Sequence, residues 1–244
     1  MLIANDKDPL GSAFLDYQND GAAPLITVQF DVAEDDTIDP AYFFRNYEQC
    51  PKLEQLALDE CRGRVLDVGA GAGSHSLYLQ QQGLDVSPID ISPLSVEVMK
   101  SRGLEQTQQV DFYDISKGGF DTLLLLMNGV GLVGQLDNFE HFFTHAKTLL
   151  NDGGQILLDS SDLIYLFEQE DGAFVIDLNE KYHGEVKFEI SYKEIKCEPF
   201  DWLYVSQELL IDAAREHGFD CEILMEGPHY DYLARLSCMI KKPH

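Results

Sequence analysis

RVLDVGAGAGSHSLYLQQQGLDVSPID, residues 64–90, decides how the rest of the chain is read. "RVLDVG" is a compact apolar run of strand length. "SHSLYLQQQ" reads as a helix stopped by Gly83, just past its end, where a left-handed backbone suits glycine. "LDVSPID" is a second strand. Between the first strand and the helix stand Gly69, Gly71 and Gly73. Glycines at that point let the backbone approach a ligand closely, and they lead into a helix N-terminus whose free N–H groups attract anions. A dinucleotide fingerprint is G-x-G-x-x-G, whereas here the third glycine comes one position early. Asp67, two residues before the first glycine, would also repel a pyrophosphate; it suits a ligand that carries an ammonium group. Asp90, at the end of the second strand, has the place and the acceptor chemistry for two ribose hydroxyls.

The alternation continues outward from this stretch. "SPLSVEVMKSR" opens with Ser92 as N-cap and Pro93 at the first helical position, and Gly103 closes it. "QQVDFYD" reads as a third strand, "FDTLLLLMNG" as a fourth buried on both faces, and "GGQILLDSSD" as a fifth. The helix "DNFEHFFTHAKTLL" carries Phe139, Phe142, Phe143, Ala146, Leu149 and Leu150 on one stripe. Strands alternating with helices across glycine-marked turns predict a parallel sheet with right-handed crossovers. After residue 162 the rhythm changes. "GEVKFEISYKEI" alternates as a half-exposed antiparallel strand, and "FDWLYV" is expected to pair with it. A helix "SQELLIDAAREHG" and two strands, "FDCEILME" and "DYLARLSCMI", follow. Ahead of the glycine strand, "PLITVQFD" has the pattern of a short strand, while "DPAYFFRNYEQ" and "PKLEQLALDEC" read as short helices.

Taken together, these elements resemble the class I S-adenosylmethionine-dependent methyltransferases. "VLDVGAGAG", "PIDIS" and "FDTLLLLMNG" carry the resemblance, which runs from about residue 64 to the C-terminus. It implies an α/β, Rossmann-like, doubly wound and mostly parallel seven-stranded sheet ending in an antiparallel hairpin. The expected organisation is one domain, 1–244: an N-terminal helical cap (1–62), a cofactor-binding core (63–162), an antiparallel insertion serving as substrate lid (163–205), and a C-terminal helix and hairpin (206–244). The resemblance implies S-adenosylmethionine as cofactor, with Asp67, Gly69, Ala70, Gly71 and Gly73 around its methionine end, Asp90 on the ribose and Ile91 beside the adenine. It also asks for an acid after the third strand; Asp114 is the better match and Asp111 its rival. The segment after the fourth strand, Met127-Asn128-Gly129, would face the sulfonium, with Asn128 among the cofactor residues. The segment Met127-Asn128-Gly129 departs from the N-P-P-Y tetrapeptide of the relatives that methylate nucleobase amines.

Methyl transfer needs alignment above all, and a general base only when the nucleophile arrives protonated. The sequence does not single out a base. His75, Asn128 and His229 are the candidates for catalysis. Asp159, at the carboxyl end of the fifth strand, falls on the substrate side, and so does Tyr230, in the turn "GPHYD", if strand "CEILME" runs parallel to its neighbours. In the cap, Arg45 is placed to pair the cofactor carboxylate, and Tyr42 and Tyr47 to line the substrate cavity; a packed aromatic cap with a surface arginine satisfies the same pattern. Trp202, alternating with Phe200 and Tyr204, either walls a pocket or packs the insertion onto the sheet. His141 and His145 have a metal-ligating spacing but lie opposite the apolar stripe with no further Cys or His nearby, so no metal is expected.

Composition narrows the function further. With 17 basic and 43 acidic residues the net charge is −26, and "DVAEDDTID" places five acids in nine residues. Phosphate contacts need clustered Lys and Arg, so nucleic acid is not an expected partner; a solvated loop, or steering of a cationic substrate, fits the acidic run. No segment is apolar enough to span a bilayer. Five scattered cysteines without a C-x-x-C pair fit reduced thiols in a cytoplasm. The reading is a cytoplasmic enzyme acting on a small molecule. Its rivals are a nicotinamide-dependent oxidoreductase, a non-catalytic partner subunit of the same fold, and a protein methyltransferase acting on a basic substrate. Oligomeric state is not set by the sequence.

Overall fold

The computed structural model describes residues 2–168 and 181–239. The chain opens with helix α1 (Pro9–Asp20), capped by Asp8, whose carboxylate accepts from the Gly11 amide. Strands β1 (Ile26–Phe30) and β2 (Asp36–Ile38) follow, then two 3₁₀ turns, Pro40–Phe44 and Tyr47–Gln49, and helix α2 (Lys52–Glu60). The core then runs β3 (Arg64–Val68), α3 (Ser74–Gln81), β4 (Asp85–Asp90), α4 (Pro93–Ser101), β5 (Gln108–Gln109), β6 (Phe120–Leu125), α5 (Phe139–Leu149) and β7 (Leu150–Ser161). After it come β8 (Glu185–Tyr192), β9 (Ile195–Lys196), β10 (Phe200–Leu203), α6 (Gln207–Glu216), β11 (Phe219–Glu226) and β12 (Asp231–Cys238). Among the described residues no helix is long and apolar enough to cross a membrane.

The main sheet has seven strands in the order β11-β12-β7-β6-β3-β4-β5. Strands β3 to β7 are parallel, and β12 enters antiparallel against β7 with Asp231 opposite Ser161. This is the expected Rossmann-like sheet with its antiparallel hairpin. Because β11 is antiparallel to β12, it runs with β7, so the turn between β11 and β12 emerges at the carboxyl ends of the parallel strands. The chain moves outward from β3 to β5 and then crosses back to β6, which puts the switch point between β3 and β6; ligands of such sheets sit in that crevice.

The run Leu123–Leu126 shows why both faces must be covered. Leu124 and Leu126 join Val65, Leu157 and Leu233 under α2 and α3, while Leu123 and Leu125 join Leu66, Ile156 and Leu158 under α5 and α6. The strand period of two sends alternate leucines into opposite cores. The third expected strand is cut to two residues: the Asp111 carboxylate accepts from the Tyr113 amide and turns the chain into a 3₁₀ segment, Phe112–Asp114. That local side-chain bond competes with the ladder.

The cap is more than helical. Strand β1 pairs with β8 of the insertion, Val28 opposite Ile190, and β8 pairs with β10, Phe188 opposite Phe200. Cap and insertion therefore build one antiparallel sheet, β10-β8-β1-β2 with β9 beside β8. Its inner face, with Ile26, Val28, Ile190 and Tyr192, packs on Ala13 and Phe14 of α1 and on Ala72 behind the glycine loop. The stretch 169–180 of the expected lid and residues 240–244 at the end of the expected C-terminal hairpin lie outside the described residues.

The insertion is fastened to the core at Gly131. A Cβ placed there would lie 2.0 Å from the Trp202 ring, so the indole rests directly on the backbone. Gly131→Ala is expected to destabilise by about 1–3 kcal/mol through overpacking. At roughly 2–4 °C per kcal/mol for a chain of this size, the melting temperature falls by several degrees. Since Trp202 is the only tryptophan, its emission should shift in the same variant.

Candidate functional site

The glycine loop forms because no side chain tolerates its backbone. Gly69, Gly71 and Gly73 have φ of 70°, 57° and 82°. A side chain at Gly73 would also meet Leu104 at 2.5 Å and Met99 at 2.8 Å, whereas above Gly69 nothing lies within 4 Å. The loop thus lets the start of α3 pack closely on Met99 of α4 and on Leu104, and it leaves open space above Gly69. The amides of Gly69 and Ala70 donate to the Ile89 carbonyl at 3.0 Å, which ties the loop to the end of β4. Phe14 of α1 covers Gly71 from above.

Asp90 closes β4. One carboxylate oxygen accepts from the Gly71 amide at 2.9 Å and the other from the Ser92 amide at 2.8 Å. Each oxygen keeps a lone pair, so two further donors can be taken. Burial, opposed by those two amides and reinforced by the charges of Asp8 and Asp67, pushes its pKa up to about 6. Ile91 beside it is 36% exposed and offers a flat apolar wall. Asp67 is buried and accepts from the Ser76 hydroxyl at 2.6 Å; burial raises its pKa, with His75 and Ser76 working against the rise. A cation arriving over the loop would stabilise that charge. Asp114 is exposed, while Asp111 stands where β5 ends and the neighbouring Val110 amide donates to the Asp90 carbonyl.

Past β6 the backbone is strained. Met127 and Asn128 both have left-handed φ, 63° and 58°. Asn tolerates this region, but methionine does not adopt it without cost, and such outliers gather at functional sites. The turn is held from three directions. The Asn128 side chain accepts from the Ser160 hydroxyl at 3.0 Å and donates to the Leu203 carbonyl at 3.2 Å, and the Gly129 amide donates to Asp159 at 3.3 Å. Asn128 is therefore spent on linking β6, β7 and β10.

Asp159 faces a cleft of ≈ 180 Å³ that Tyr42, Glu54, Met127 and Asp231 also line. Glu54 is a buried acid on α2 with two cationic partners. Arg45 donates to both of its oxygens at 3.0 Å, and His75 lies 2.8 Å from one of them. Arg45 also rests 3.5 Å from the Tyr42 ring centroid and donates to the Tyr42 carbonyl. Burial disfavours the His75 charge, but Cys50, Glu54 and Asp67 outweigh it and hold the pKa up to about 10. At neutral pH His75 is a cation and has no lone pair for a proton. Cys50, Glu54 and His75 cluster closely enough to hold a metal, but Arg45 and the imidazolium already neutralise this carboxylate.

Asp159 differs: its bonds come from backbone amides, and it forms no salt bridge among the described residues. Burial, opposed by the Gly129 and Asn128 amides and by His75 and helped by Glu54, pushes its pKa up to about 7. A carboxyl raised above its unfolded value near 4 contributes stability below that value and loses it as pH rises through about 7. Asp159→Asn is therefore expected to raise the melting temperature most at pH 8, less at pH 5 and not at all below about pH 4, which thermal scans at those pH values would check.

The remaining expected residues lie elsewhere. Tyr47 stacks on Tyr78 and donates to Asp59, on the outer side of α2. His229 is exposed in the β11–β12 turn, and Tyr230, 48% exposed, stacks on Tyr165 at 6.1 Å. His141 stacks on Tyr113, and His145 bonds the Phe112 carbonyl at 2.8 Å, so this pair packs the short 3₁₀ segment and is not simply solvated. Glu54 and Asp231 were not singled out from sequence, and Met127 only as part of the segment Met127-Asn128-Gly129. A signal existed only for Glu54, an acid beside the apolar face of α2 with Arg45 nine residues before it.

Comparison with known proteins agrees with this geometry. A family profile described as a methyltransferase domain matches residues 43–222. A S-adenosylmethionine-dependent methyltransferase from Bacteroides fragilis, crystallised with S-adenosyl-L-homocysteine, is 46% identical over 98% of each chain, with a TM-score of 0.93. A sugar N-methyltransferase from a Streptoalloteichus species shares the fold at a TM-score of 0.55, with 15% identity over 81% of this chain and 88% of its own. A ubiquinone biosynthesis O-methyltransferase from Xanthomonas oryzae is 44% identical over 55 residues, 22% of this chain. That match spans about a quarter, 23%, of the relative's own length.

Proposed function

Because this chain belongs to the S-adenosylmethionine-dependent methyltransferase family, we propose that it methylates a small molecule whose nucleophilic atom arrives protonated, and that Asp159 takes the proton. S-adenosylmethionine is the cofactor. When bound it supplies an electrophilic methyl group on a sulfonium and departs as S-adenosylhomocysteine.

The residues present fit that group. The space over Gly69 admits a ligand against bare backbone, Asp90 keeps acceptors for two hydroxyls, Ile91 offers an apolar wall, and buried Asp67 gains from a nearby ammonium. Arg45, committed to Glu54, holds the cap against α2 and so positions Tyr42 over the cleft.

The observation that carries the reading is Asp159: a carboxyl with a pKa raised to about 7, facing the cleft beyond β6 and β7, held by backbone amides and in no salt bridge among the described residues. A base titrating near the working pH is both ionised and basic enough to accept a proton. Asp159 would hold, on a carboxylate oxygen, the proton that the acceptor atom gives up when it takes the methyl group that the cofactor would supply. Tyr42, 41% exposed at the rim of the cleft, has its pKa raised and stays protonated. Methyl transfer from labelled S-adenosylmethionine should be assayed against amines, phenols and basic peptides. Labelling of a small amine or phenol supports the reading; labelling of the peptides alone would favour a protein substrate and overturn it.

A further inference from the structure

Asp159 is two residues from Ser161 on β7, so their side chains leave the same face of the strand roughly 7 Å apart. Asp159 lines the acidic cleft, and Ser161 lines a second cavity of ≈ 110 Å³. The two spaces are therefore neighbours at the end of one strand. Their chemistry is opposite. The second is walled by Phe30, Phe188, Tyr165 and Tyr204, with no charged side chain in its lining among the described residues. The first presents Asp159 and Asp231, neither of which forms a salt bridge among the described residues. Tyr204 joins them: it lines the apolar cavity, and the charge of Asp159 acts on its hydroxyl.

Phe30 belongs to β1 of the cap and Phe188 to β8 of the insertion, and their rings meet at 5.3 Å. The sheet built jointly by cap and insertion thus supplies this wall. At ≈ 110 Å³ the cavity is somewhat smaller than the roughly 150 Å³ cavity that takes benzene, so it suits a branched alkyl group or at most one ring.

We propose that the methyl acceptor is an amphipathic amine, its nitrogen at Asp159 and a compact apolar substituent in the cavity between Phe30, Phe188 and Tyr204. The proposal rests on the reading of Asp159 given above and adds the substrate class. Two carboxylates without cationic partners favour an ammonium over a neutral phenol, and the aromatic walls favour carbon over a polar tail.

The test uses three probes on the S-adenosylhomocysteine-loaded protein, with dissociation constants from ligand-observed NMR: 3-methylbutylamine, methylamine and 3-methylbutan-1-ol. Ala33→Phe fills the apolar cavity from a half-exposed loop position, and Asp159→Asn removes the charge. The expected result is that 3-methylbutylamine binds at least roughly tenfold tighter than methylamine and that Ala33→Phe abolishes the difference. Asp159→Asn should weaken the amine and spare the alcohol. Leu166→Ala, which enlarges the same cavity, should shift preference toward 2-phenylethylamine and guards against a folding defect in the first variant. Equal binding of the two amines, unaffected by Ala33→Phe, would overturn the apolar subsite and leave the reading of Asp159 intact. Amine binding that follows Ala33→Phe but ignores Asp159→Asn would overturn the assignment of the nitrogen to Asp159, and with it the reading on which this proposal rests.

Discussion

Asp159→Asn lowers the rate of methyl transfer by about 10²–10⁴-fold, the span that a positioned general base contributes, while S-adenosylhomocysteine binds as before. The expectation follows from how the structure uses this side chain. The Gly129 amide holds one of its oxygens at 3.3 Å, burial raises its pKa to about 7, and the cleft lies in front of it. Asparagine keeps the shape and the contact to Gly129 but accepts no proton. The wild-type rate should fall as pH drops below about 7, because the base is then protonated, and the variant should lose that limb. Initial rates between pH 5 and 9 with any accepted amine or phenol measure both effects. The same substitution relieves a buried charge, so it should trade activity for stability at alkaline pH.

The second large effect concerns the cofactor. Asp90→Ala is expected to weaken S-adenosylmethionine and S-adenosylhomocysteine by roughly 10²–10⁴-fold. Two hydrogen bonds from ribose hydroxyls to a carboxylate, at about 1.5–3 kcal/mol each, set that range. The Gly71 and Ser92 amides lose their acceptor as well, so the glycine loop loosens where the ligand rests. Isothermal titration with both adenosyl ligands and with NAD measures it. Binding of NAD by the wild type would revive the oxidoreductase reading, and binding of no ligand would favour a partner subunit.

The core was legible because its signals are local. Glycines with positive φ, Ser92 as N-cap and the alternate leucines of β6 follow from backbone sterics and period alone. Asp67 and Asp90 could be located from their distance to those glycines. The joint sheet was not legible. Val28 meets Ile190 across 162 positions, and nothing in either strand specifies the other. Likewise Glu54 gains meaning only when Arg45 and His75 close on it from a 3₁₀ turn and a different helix. Met127 carries no sequence mark of its strained backbone, since the strain comes from bonds made by its neighbours Asn128 and Gly129. Asp159 could be placed on the substrate side from topology, but not ranked above His75. That ranking needed the neighbours Cys50, Glu54 and Asp67, which keep His75 charged against its burial, and the burial that pushes the Asp159 pKa up.

The role of Asp159 can be read by titrating side-chain carboxyls of ¹³C-aspartate-labelled protein loaded with S-adenosylhomocysteine, with Asp159→Asn identifying the resonance. The expected result is a carboxyl with a midpoint near 7 that vanishes in the variant. A midpoint near 4 for that resonance would contradict it, because an ordinary carboxylate there would be a solvated anion and not a base poised for the acceptor's proton.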